Sequence, residues 1–288
     1  MDDKTAEQQI HKLNKQVLLY QKKLRRSEIN RTQLETLKEK SDHLLKTINT
    51  EVETVRKTIE TKNQQLEQLY QELQHEQLKS ENLLLNILPS KIATELKQTG
   101  KVEPFYIESV TVLFTDFKGF TKIAATISPQ ELIQELDYCF SNFDNIIEKH
   151  HLERLKTIGD AYMCAAGLCG RETHCLDTVH AALEIGEFMQ HYIQTKKQQN
   201  KPYWDIRIGL HTGSVVAGVV GEKKFAYDIW GDTVNIASRM ESASEAGKIN
   251  ISKDSHELVK EHFAFEYRGK IAIKNCGELE MFFVSEKS

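Results

Sequence analysis

The chain has 288 residues, of which 40% are hydrophobic and 28% are charged, a balance typical of folded proteins and not of disordered ones. Its 38 basic and 42 acidic residues leave a formal charge of -4, which excludes the strong positive field that recruits nucleic acid or an anionic membrane. The polar start MDDKTAEQQI has no apolar signal core, no run approaches the ~18 apolar residues of a membrane span, and the five cysteines lack C-x-x-C spacing. These features predict a cytoplasmic protein with reduced thiols.

The first 88 residues predict a long helix of the coiled-coil type. All 14 glycines and all 4 prolines lie beyond this segment, and apolar residues recur every 3.5 positions or so from Leu13 to Ile87. A helix of about 75 residues at ~1.5 Å each would extend on the order of 110 Å. Such a helix cannot bury its apolar stripe alone, so we expect a parallel dimeric coiled coil over residues 1–88.

Polar residues interrupt this apolar stripe in two clusters. They are Ser27, Arg31, Lys38 and Ser41 in the first cluster, and Lys62, Glu76 and Ser80 in the second. One interpretation is that they fix the register and the number of chains, as isolated polar a and d residues do. The other is that the weak contact at Glu76 and Ser80 lets the helices change register and so signal to the domain that follows.

A joint is predicted at residues 89–104. Pro89 lacks the amide hydrogen that a continuing helix needs, so the long helix should stop there. A short second helix over about 90–98 should end at Gly100, which suits a helix C-cap. Because its leucines and isoleucines need burial, we expect a packed joint and not a flexible linker.

From residue 105 to 288, apolar strand-like runs alternate with helical patterns. The predicted strands span 109–114, 153–157, 162–167, 204–212 and 214–220, with a further pair near 263–273 and 279–284, and the predicted helices span 129–149, 174–196 and 232–243. This mixture indicates an α+β domain in which helices pack on an antiparallel-rich sheet.

Two aspartates follow strand-like runs in similar settings. Asp116 lies in FTDFKGFT and Asp160 in KTIGDAYM, each beside a glycine. Two carboxylates on neighbouring strands would suit Mg²⁺, which takes a few carboxylates together with phosphate oxygens and water. Gly119 and the helix start after Phe117 would let the backbone approach phosphates. From these residues alone, turn aspartates with tight-turn glycines are the favoured interpretation.

A third stretch, YDIWGDTVNIASRMES, changes that balance. A helix that begins near Asp232 places Asn235 and Arg239 four residues apart on one face, where both could contact one anion. A surface helix with an incidental asparagine and arginine is the alternative, although lysine and glutamate would fill such a face equally well.

The segments VTVLFTDFKGFT, KTIGDAYM, IRIGLHTGSVVAGVVG and YDIWGDTVNIASRM together resemble the catalytic domain of the class III adenylyl and guanylyl cyclases. The four motifs stand in the family's order over about residues 105–285, and LLLNILPSKIATELK is similar to the helix that joins upstream signalling helices to such domains. The resemblance implies a ferredoxin-like α+β cyclase domain that follows the coiled coil.

The resemblance also implies the ligands of two divalent metal ions, Mg²⁺ or Mn²⁺. Asp116 and Asp160 match the metal-binding aspartates, assisted by the carbonyl group of Phe117. The phosphates of the substrate would be wrapped by backbone amides of one segment, made up of Phe117, Lys118, Gly119, Phe120 and Thr121.

Two positions match the family residues that recognise the base. Lys156 would donate to a ring nitrogen of adenine, and Asp228 would accept from its exocyclic amino group. Guanine presents a carbonyl group and donors instead, and guanylyl relatives usually carry glutamate and cysteine there. Lys156 and Asp228 therefore favour ATP, with a guanylyl cyclase as the nearest rival.

The remaining matches concern the ribose and the phosphates. Asn235 and Arg239 match the pair that orients the ribose and stabilises the transition state, and Arg207 matches an arginine that contacts phosphate. Lys274 matches a lysine that binds the triphosphate. Its KNCG sequence departs from the common K-G-K-G, because Cys276 replaces the second lysine.

The implied reaction converts ATP to 3′,5′-cyclic AMP and pyrophosphate. In the family the site lies between two catalytic domains, one supplying the metal aspartates and the other the base-reading and Asn/Arg residues. This chain carries both sets, so we expect a homodimer assembled by the coiled coil, with an upstream sensor or partner supplying the signal. A nucleotide-binding module without catalysis is the rival from another class; degenerate relatives usually lose a metal aspartate or the Asn/Arg pair, and both are present here.

Overall fold

The computed structural model describes residues 3–85, 88–221, 224–273 and 277–287. The chain divides into two compact units, residues 1–87 and 88–288. Within the described residues, no helix combines the length and apolarity needed to cross a membrane. The four described cysteines are free thiols, three of them buried and Cys169 exposed.

The first unit contains one helix, α1 (Asp3–Leu85), of 83 residues. At ~1.5 Å per residue it is about 125 Å long, so the predicted long helix is confirmed. Its apolar residues are open to solvent, with Leu66 70% and Leu73 63% exposed. A single helix has no way to cover such a stripe, and the predicted coiled coil stays a prediction.

The second unit begins with the predicted joint. Helix α2 (Ser90–Thr99) starts directly after Pro89 and ends at Gly100, whose φ of 75° is left-handed and whose amide donates to the Leu96 carbonyl oxygen. Leu88, Ile92 and Ala93 are buried. The short helix, its glycine cap and the packed character of the joint are therefore confirmed.

The rest of the second unit alternates strands and helices. Its strands are β1 (Phe105–Lys118), β2 (Glu153–Ile158), β3 (Ala161–Ala166), β4 (Asp205–Val220), β5 (Ala226–Trp230), β6 (Ile249–Ser252), β7 (Ala264–Ile273) and β8 (Gly277–Ser285). Its helices are α3 (Phe120–Ala124), α4 (Pro129–Lys149), α5 (His174–Gln198), α6 (Asp232–Ser242) and α7 (Lys253–Val259).

These strands form one sheet of the order β2-β3-β1-β4-β6-β8-β7, with β5 paired to β4. Among the described pairings, β4 and β6 run parallel and the others run antiparallel. The predicted α+β architecture with an antiparallel-rich sheet is confirmed. The central pair is β1 with β4, and it carries several of the polar residues singled out in the sequence.

Apolar side chains cover both faces of this central pair. On one face, Leu113 of β1 and Leu210 of β4 pack with Phe143 of α4 and Ile185 of α5. On the other face, Val112, Phe114 and Val215 pack with Ala237 of α6. Because both faces are covered, β1 and β4 read as nearly continuous apolar runs, and a polar residue within them requires a partner.

Several elements differ from their predicted extents. The strand predicted over 109–114 extends over all of β1, so Asp116 lies inside a strand and not after one. The two strands predicted over 204–212 and 214–220 are one strand, β4, because Gly213 continues the ladder opposite Val110. The sequence reading also missed β5, β6 and α7, which are short and lack a clear period.

Candidate functional site: two polar clusters on one sheet

Asp116 and Asp160 come together because β1 and β3 are paired. The ladder runs to Thr115 opposite Tyr162, so the residues that follow on β1 lie beside the turn that joins β2 to β3. Asp160 lies in this turn, next to Gly159 with its φ of 65°. Burial and then the negative charge of Asp116 raise the pKa of the Asp160 carboxyl. The two carboxylates therefore share one site and repel each other.

Arg207 of β4 lies opposite Asp116 in the ladder. Its Nη2 donates to Asp116 Oδ1 at 2.6 Å, and both side chains are about three-quarters buried, at 26% and 24% exposed. A guanidinium so placed offsets part of the carboxylate charge and holds the Asp116 side chain in one orientation.

A third carboxylate, Glu241, reaches the same arginine from the last turn of α6. Its Oε1 lies 3.0 Å from Arg207 Nε, and its side chain is 8% exposed. The Nε–H does not point at this oxygen, so the contact is ionic and leaves both atoms without a hydrogen bond. Burial raises the Glu241 pKa to about 7, against the opposing effect of Arg207. The sequence analysis missed Glu241. It lies two residues after Arg239 and therefore projects from the opposite side of the helix, about 200° away.

This acidic cluster fits a divalent cation. Asp116, Asp160 and Glu241 face one guanidinium, so negative charge exceeds positive charge in a partly buried place. Oxygen ligands of this kind are those that Mg²⁺ prefers, with substrate phosphates and waters as the remaining ligands. Among the described residues, no group of three His, Cys, Asp or Glu side chains is arranged as a ready-made metal site. That Asp116, Asp160 and the Phe117 carbonyl group are the metal ligands stays a prediction.

The segment from Phe117 to Thr121 is anchored by its aromatic residues and open at its glycine. The ring of Phe117 is 1% exposed and lies 5.2 Å from that of Trp204 between centroids. Phe120 contacts the same tryptophan ring at 5.6 Å. Gly119, by contrast, has a φ of 76° and no atom within 4 Å of where a Cβ would lie. The aromatic contacts therefore fix the segment on its core side, and the backbone at Gly119 is accessible from solvent.

Lys156 and Asp228 form a second polar cluster. Lys156 lies on β2 and Asp228 on β5, and the Lys156 ammonium group is ion-paired with Asp228 Oδ2. The other carboxylate oxygen of Asp228 accepts a hydrogen bond of 2.9 Å from the Ile229 amide. The pair is partly accessible, with the lysine 40% and the aspartate 15% exposed. The structure thus brings together the two residues that the sequence assigns to the base.

Asn235 and Arg239 lie one turn apart on α6, as predicted. Asn235 is exposed and Arg239 half-buried. The helix is held at its start by Thr233, whose hydroxyl donates to the Ser214 carbonyl oxygen of β4 at 2.6 Å. Within the described part of the chain neither side chain makes a hydrogen bond or an ion pair, so both are available to a ligand. Lys274 and Cys276 lie outside the described residues.

Comparison with known proteins assigns the family. Residues 102–286 match the family model described as the adenylate and guanylate cyclase catalytic domain. An adenylate cyclase of Mycobacterium tuberculosis is 38% identical over 209 residues, which cover 72% of this chain and 46% of that protein. The receptor-type guanylate cyclase gcy-5 of Caenorhabditis elegans is 37% identical over 229 residues, or 77% of this chain and 20% of that protein.

A solved structure gives the same result at the level of the fold. The guanylate cyclase domain of RhGC from Catenaria anguillulae, in complex with GTP, superposes with a TM-score of 0.59 at 33% identity. The match covers 64% of this chain and 100% of that domain. This chain spans less than half the length of the two curated relatives. Since the family model covers well over half of its residues, the chain belongs to the adenylate and guanylate cyclase catalytic-domain family.

Proposed function

We propose that the chain is an adenylate cyclase, which converts ATP to 3′,5′-cyclic AMP and pyrophosphate at a site shared by two copies of the chain. The observation that carries the choice of ATP is the pair formed by Lys156 and Asp228. Known relatives include both adenylate and guanylate cyclases at nearly equal identity, so the choice rests on the chemistry of these two residues.

The pair suits adenine because its two members have complementary hydrogen-bonding roles. The ammonium group only donates and the carboxylate only accepts, which matches a ring nitrogen and an amino group on adenine. On guanine the carbonyl oxygen would face the carboxylate, which is repulsive and leaves a buried polar group unpaired.

The phosphates belong at the acidic cluster. Asp116 and Asp160, with the Phe117 carbonyl oxygen, would hold two divalent cations, which when bound supply Lewis-acid activation of the 3′-hydroxyl and charge neutralisation of the triphosphate. The backbone from Phe117 to Thr121 would donate to phosphate oxygens at the open face of Gly119. Arg207 would stabilise charge on the phosphoryl oxygens, and Lys274 would add a further contact to the triphosphate.

The ribose and the transition state would be served by α6. Asn235 would orient the ribose, so that its 3′-hydroxyl lies in line with the α-phosphate. Arg239 would stabilise the negative charge that develops there as the oxygen–phosphorus bond forms. Neither side chain has a partner in the described chain, and both lie on a different face of α6 from Glu241. This face would be directed toward the second chain.

The site would be completed by dimerisation. Asp116 and Asp160 of one chain would act with Lys156, Asp228, Asn235 and Arg239 of a second. The exposed apolar stripe of α1 would supply the dimer contact as a parallel coiled coil over residues 1–88. In this arrangement residues 89–104 form the joint that links the coiled coil to the catalytic domain at 105–288.

A direct assay tests the assignment. Purified full-length chain with Mg²⁺ or Mn²⁺ is given ATP and GTP separately, and the cyclic nucleotides are separated and quantified. We expect cyclic AMP from ATP with kcat/KM at least about 100-fold above that for GTP, since two base contacts are lost with GTP. Asp116→Ala is the inactive control. Faster turnover of GTP would identify a guanylate cyclase, and no cyclic product from either nucleotide would refute the proposal.

A further inference from the structure

Arg207 lies between two carboxylates on different elements. Asp116 of β1 accepts from Nη2 at 2.6 Å, and Glu241 of α6 lies 3.0 Å from Nε. Of these two carboxylates, only that of Asp116 is a proposed metal ligand. Glu241 therefore has no assigned task, although it is among the few buried charged residues in the described chain.

The backbone is shaped to bring Glu241 to this position. A Cβ on Gly209 of β4 would lie 1.9 Å from the Glu241 amide nitrogen. Helix α6 thus approaches β4 more closely than any side chain at position 209 permits. Gly209 is two residues after Arg207 on β4. The close contact of α6 at Gly209 therefore brings the Glu241 carboxylate beside Arg207.

The contact between Arg207 and Glu241 is not one that would be expected if it served only to stabilise the fold. Glu241 Oε1 and Arg207 Nε are buried and close, yet neither makes a hydrogen bond. A buried ion pair without good hydrogen bonds gains little over apolar packing, and unsatisfied buried polar atoms call for an explanation. A guanidinium held by Asp116 alone would also compete with any metal for that carboxylate, since both are cations bound to the same oxygens.

We propose that Glu241 is a positioning residue that shares the Arg207 guanidinium with Asp116 and so weakens the arginine's hold on that carboxylate, which can then take up a divalent cation. The inference rests on the proposed metal-dependent cyclase function. Without Glu241, the guanidinium loses its contact on the Nε side and is held more strongly by Asp116. Metal binding then has to displace it, so the metal is bound more weakly while the steps after metal saturation change little.

The test measures Mn²⁺ binding directly, by the loss of the free-ion electron paramagnetic resonance signal on adding full-length protein without nucleotide. Glu241→Gln, which keeps the shape and removes the charge, should raise the Mn²⁺ dissociation constant about tenfold, or about 1.4 kcal/mol. In the cyclase assay it should raise the Mn²⁺ concentration for half-maximal rate similarly, with kcat within about threefold of wild type. Glu241→Asp should recover most of the binding, and Glu245→Gln, 65% exposed next to α6, is the matched control.

A double-mutant cycle separates positioning from simple charge attraction. In an Arg207→Gln background there is no guanidinium to restrain, so adding Glu241→Gln should leave Mn²⁺ binding unchanged. If Glu241→Gln weakens Mn²⁺ binding by the same factor in the Arg207→Gln background, the proposal is wrong. It is also wrong if the single Glu241→Gln variant binds Mn²⁺ with wild-type affinity and differs only in a lower melting temperature. If wild type forms no cyclic nucleotide, the proposed function fails, while the binding cycle still decides the role of Glu241.

Discussion

Lys156 and Asp228 are 72 residues apart in sequence and form an ion pair across β2 and β5. In the sheet, β2 pairs with β3 and β5 pairs with β4, so the ion pair joins two strands that are not hydrogen-bonded neighbours. The pair is accessible to a ligand and separate from the acidic cluster of Asp116, Asp160, Arg207 and Glu241. One chain therefore presents two polar surfaces, to which the proposed function assigns the base and the metal-bound phosphates.

Exchanging the base-reading pair should change the preferred nucleotide. In the double variant Lys156→Glu with Asp228→Cys, the glutamate can accept from the guanine donors and the cysteine no longer repels the guanine carbonyl group. We expect the ratio of kcat/KM for ATP over GTP to fall by at least about 100-fold, the size of two lost hydrogen bonds. Steady-state rates with each nucleotide at saturating Mn²⁺ measure this ratio.

The control for this exchange is Lys260→Glu, a charge reversal on a half-exposed lysine that is paired with Glu257. It should leave the nucleotide ratio unchanged. An unaltered ratio in the double variant, with the protein folded and active, would show that these residues do not read the base.

The close contact of α6 with β4 predicts a large effect of Gly209→Ala. The added methyl group would overlap the backbone at Glu241, which cannot move as a flexible side chain does. We expect a loss of stability of about 1–3 kcal/mol or more, as for other overpacked cores, and a fall in cyclase rate because α6 carries Asn235 and Arg239. Urea unfolding followed by tryptophan fluorescence measures the first effect.

Gly186→Ala is the matched control for that experiment. Gly186 is inside α5 and has no atom within 4 Å of the Cβ position, so alanine should be neutral or stabilise by about 0.5–1 kcal/mol. If Gly209→Ala is as stable as Gly186→Ala, the close approach of α6 is not what fixes the site.

The exposed stripe of α1 predicts that two substitutions can separate the chains. Leu66→Glu with Leu73→Glu puts charges at successive a positions of the heptad, where a coiled coil buries leucine. Sedimentation should then show monomer at concentrations where wild type is dimeric, and cyclase activity should fall at least about tenfold because a shared site is lost. The control is Gln64→Glu with Gln71→Glu, at outward positions of the same heptads. A fully active monomer would contradict a site formed by two chains.

Two buried histidines predict a loss of stability in acid. His174 and His211 are each 6% exposed, and burial lowers the pKa of both, against the opposing charges of Asp177 and Asp254. Each lies in a hydrogen-bond network, His174 Nδ1 with Thr111 at 2.8 Å and His211 Nδ1 with Ser252 at 2.7 Å.

Proton binding decides whether the free energy of unfolding rises or falls with pH. The unfolded chain takes up protons near pH 6.5, whereas the folded chain resists them, so stability present above about pH 6.5 is lost as the pH falls toward the lowered folded pKa values. A tenfold difference in proton affinity is worth about 1.4 kcal/mol, or a melting temperature change of about 3–6 °C for a unit of this size.

Both tryptophans lie in the second unit, so their fluorescence reports its melting. We expect the melting temperature to drop between pH 7 and pH 5, with a smaller drop in His174→Gln. His191→Gln, at an exposed position of α5, should melt with the wild-type pH dependence. A His174→Gln slope equal to that of wild type would remove His174 from the explanation.

The sequence predicted the elements that carry strong local signals. The predicted helix over 129–149 agrees with the observed α4 (Pro129–Lys149), which the structure shows to begin with a capping box of Ser128 and Glu131, and α2 ends at its predicted glycine. The strands β5 and β6 were missed because four or five residues show no period. β5 is held by its hairpin with β4, and β6 by pairing with β4 and β8, which lie far from it in sequence.

The residues of the candidate site also fall into those that sequence motifs indicate and those whose contacts depend on the tertiary structure. Asp116, Asp160, Asn235 and Arg239 stand in motifs that can be read from a single sequence. The ion pair of Arg207 with Asp116 depends on the pairing of β1 with β4, and that of Lys156 with Asp228 joins strands that are not paired. The position of Glu241 depends on how closely α6 packs at Gly209. Neither kind of contact leaves a periodic trace in the sequence.

The claim that two chains share each active site has a direct test by complementation. Asp116→Ala lacks a metal ligand and Asn235→Ala lacks the ribose contact, so each homodimer should be inactive. Mixed under conditions that exchange subunits, they should form heterodimers with one intact site, and cyclic AMP formation should recover to about a quarter of the wild-type rate, as random pairing gives. No recovery in a mixture shown to contain heterodimers would contradict a shared site.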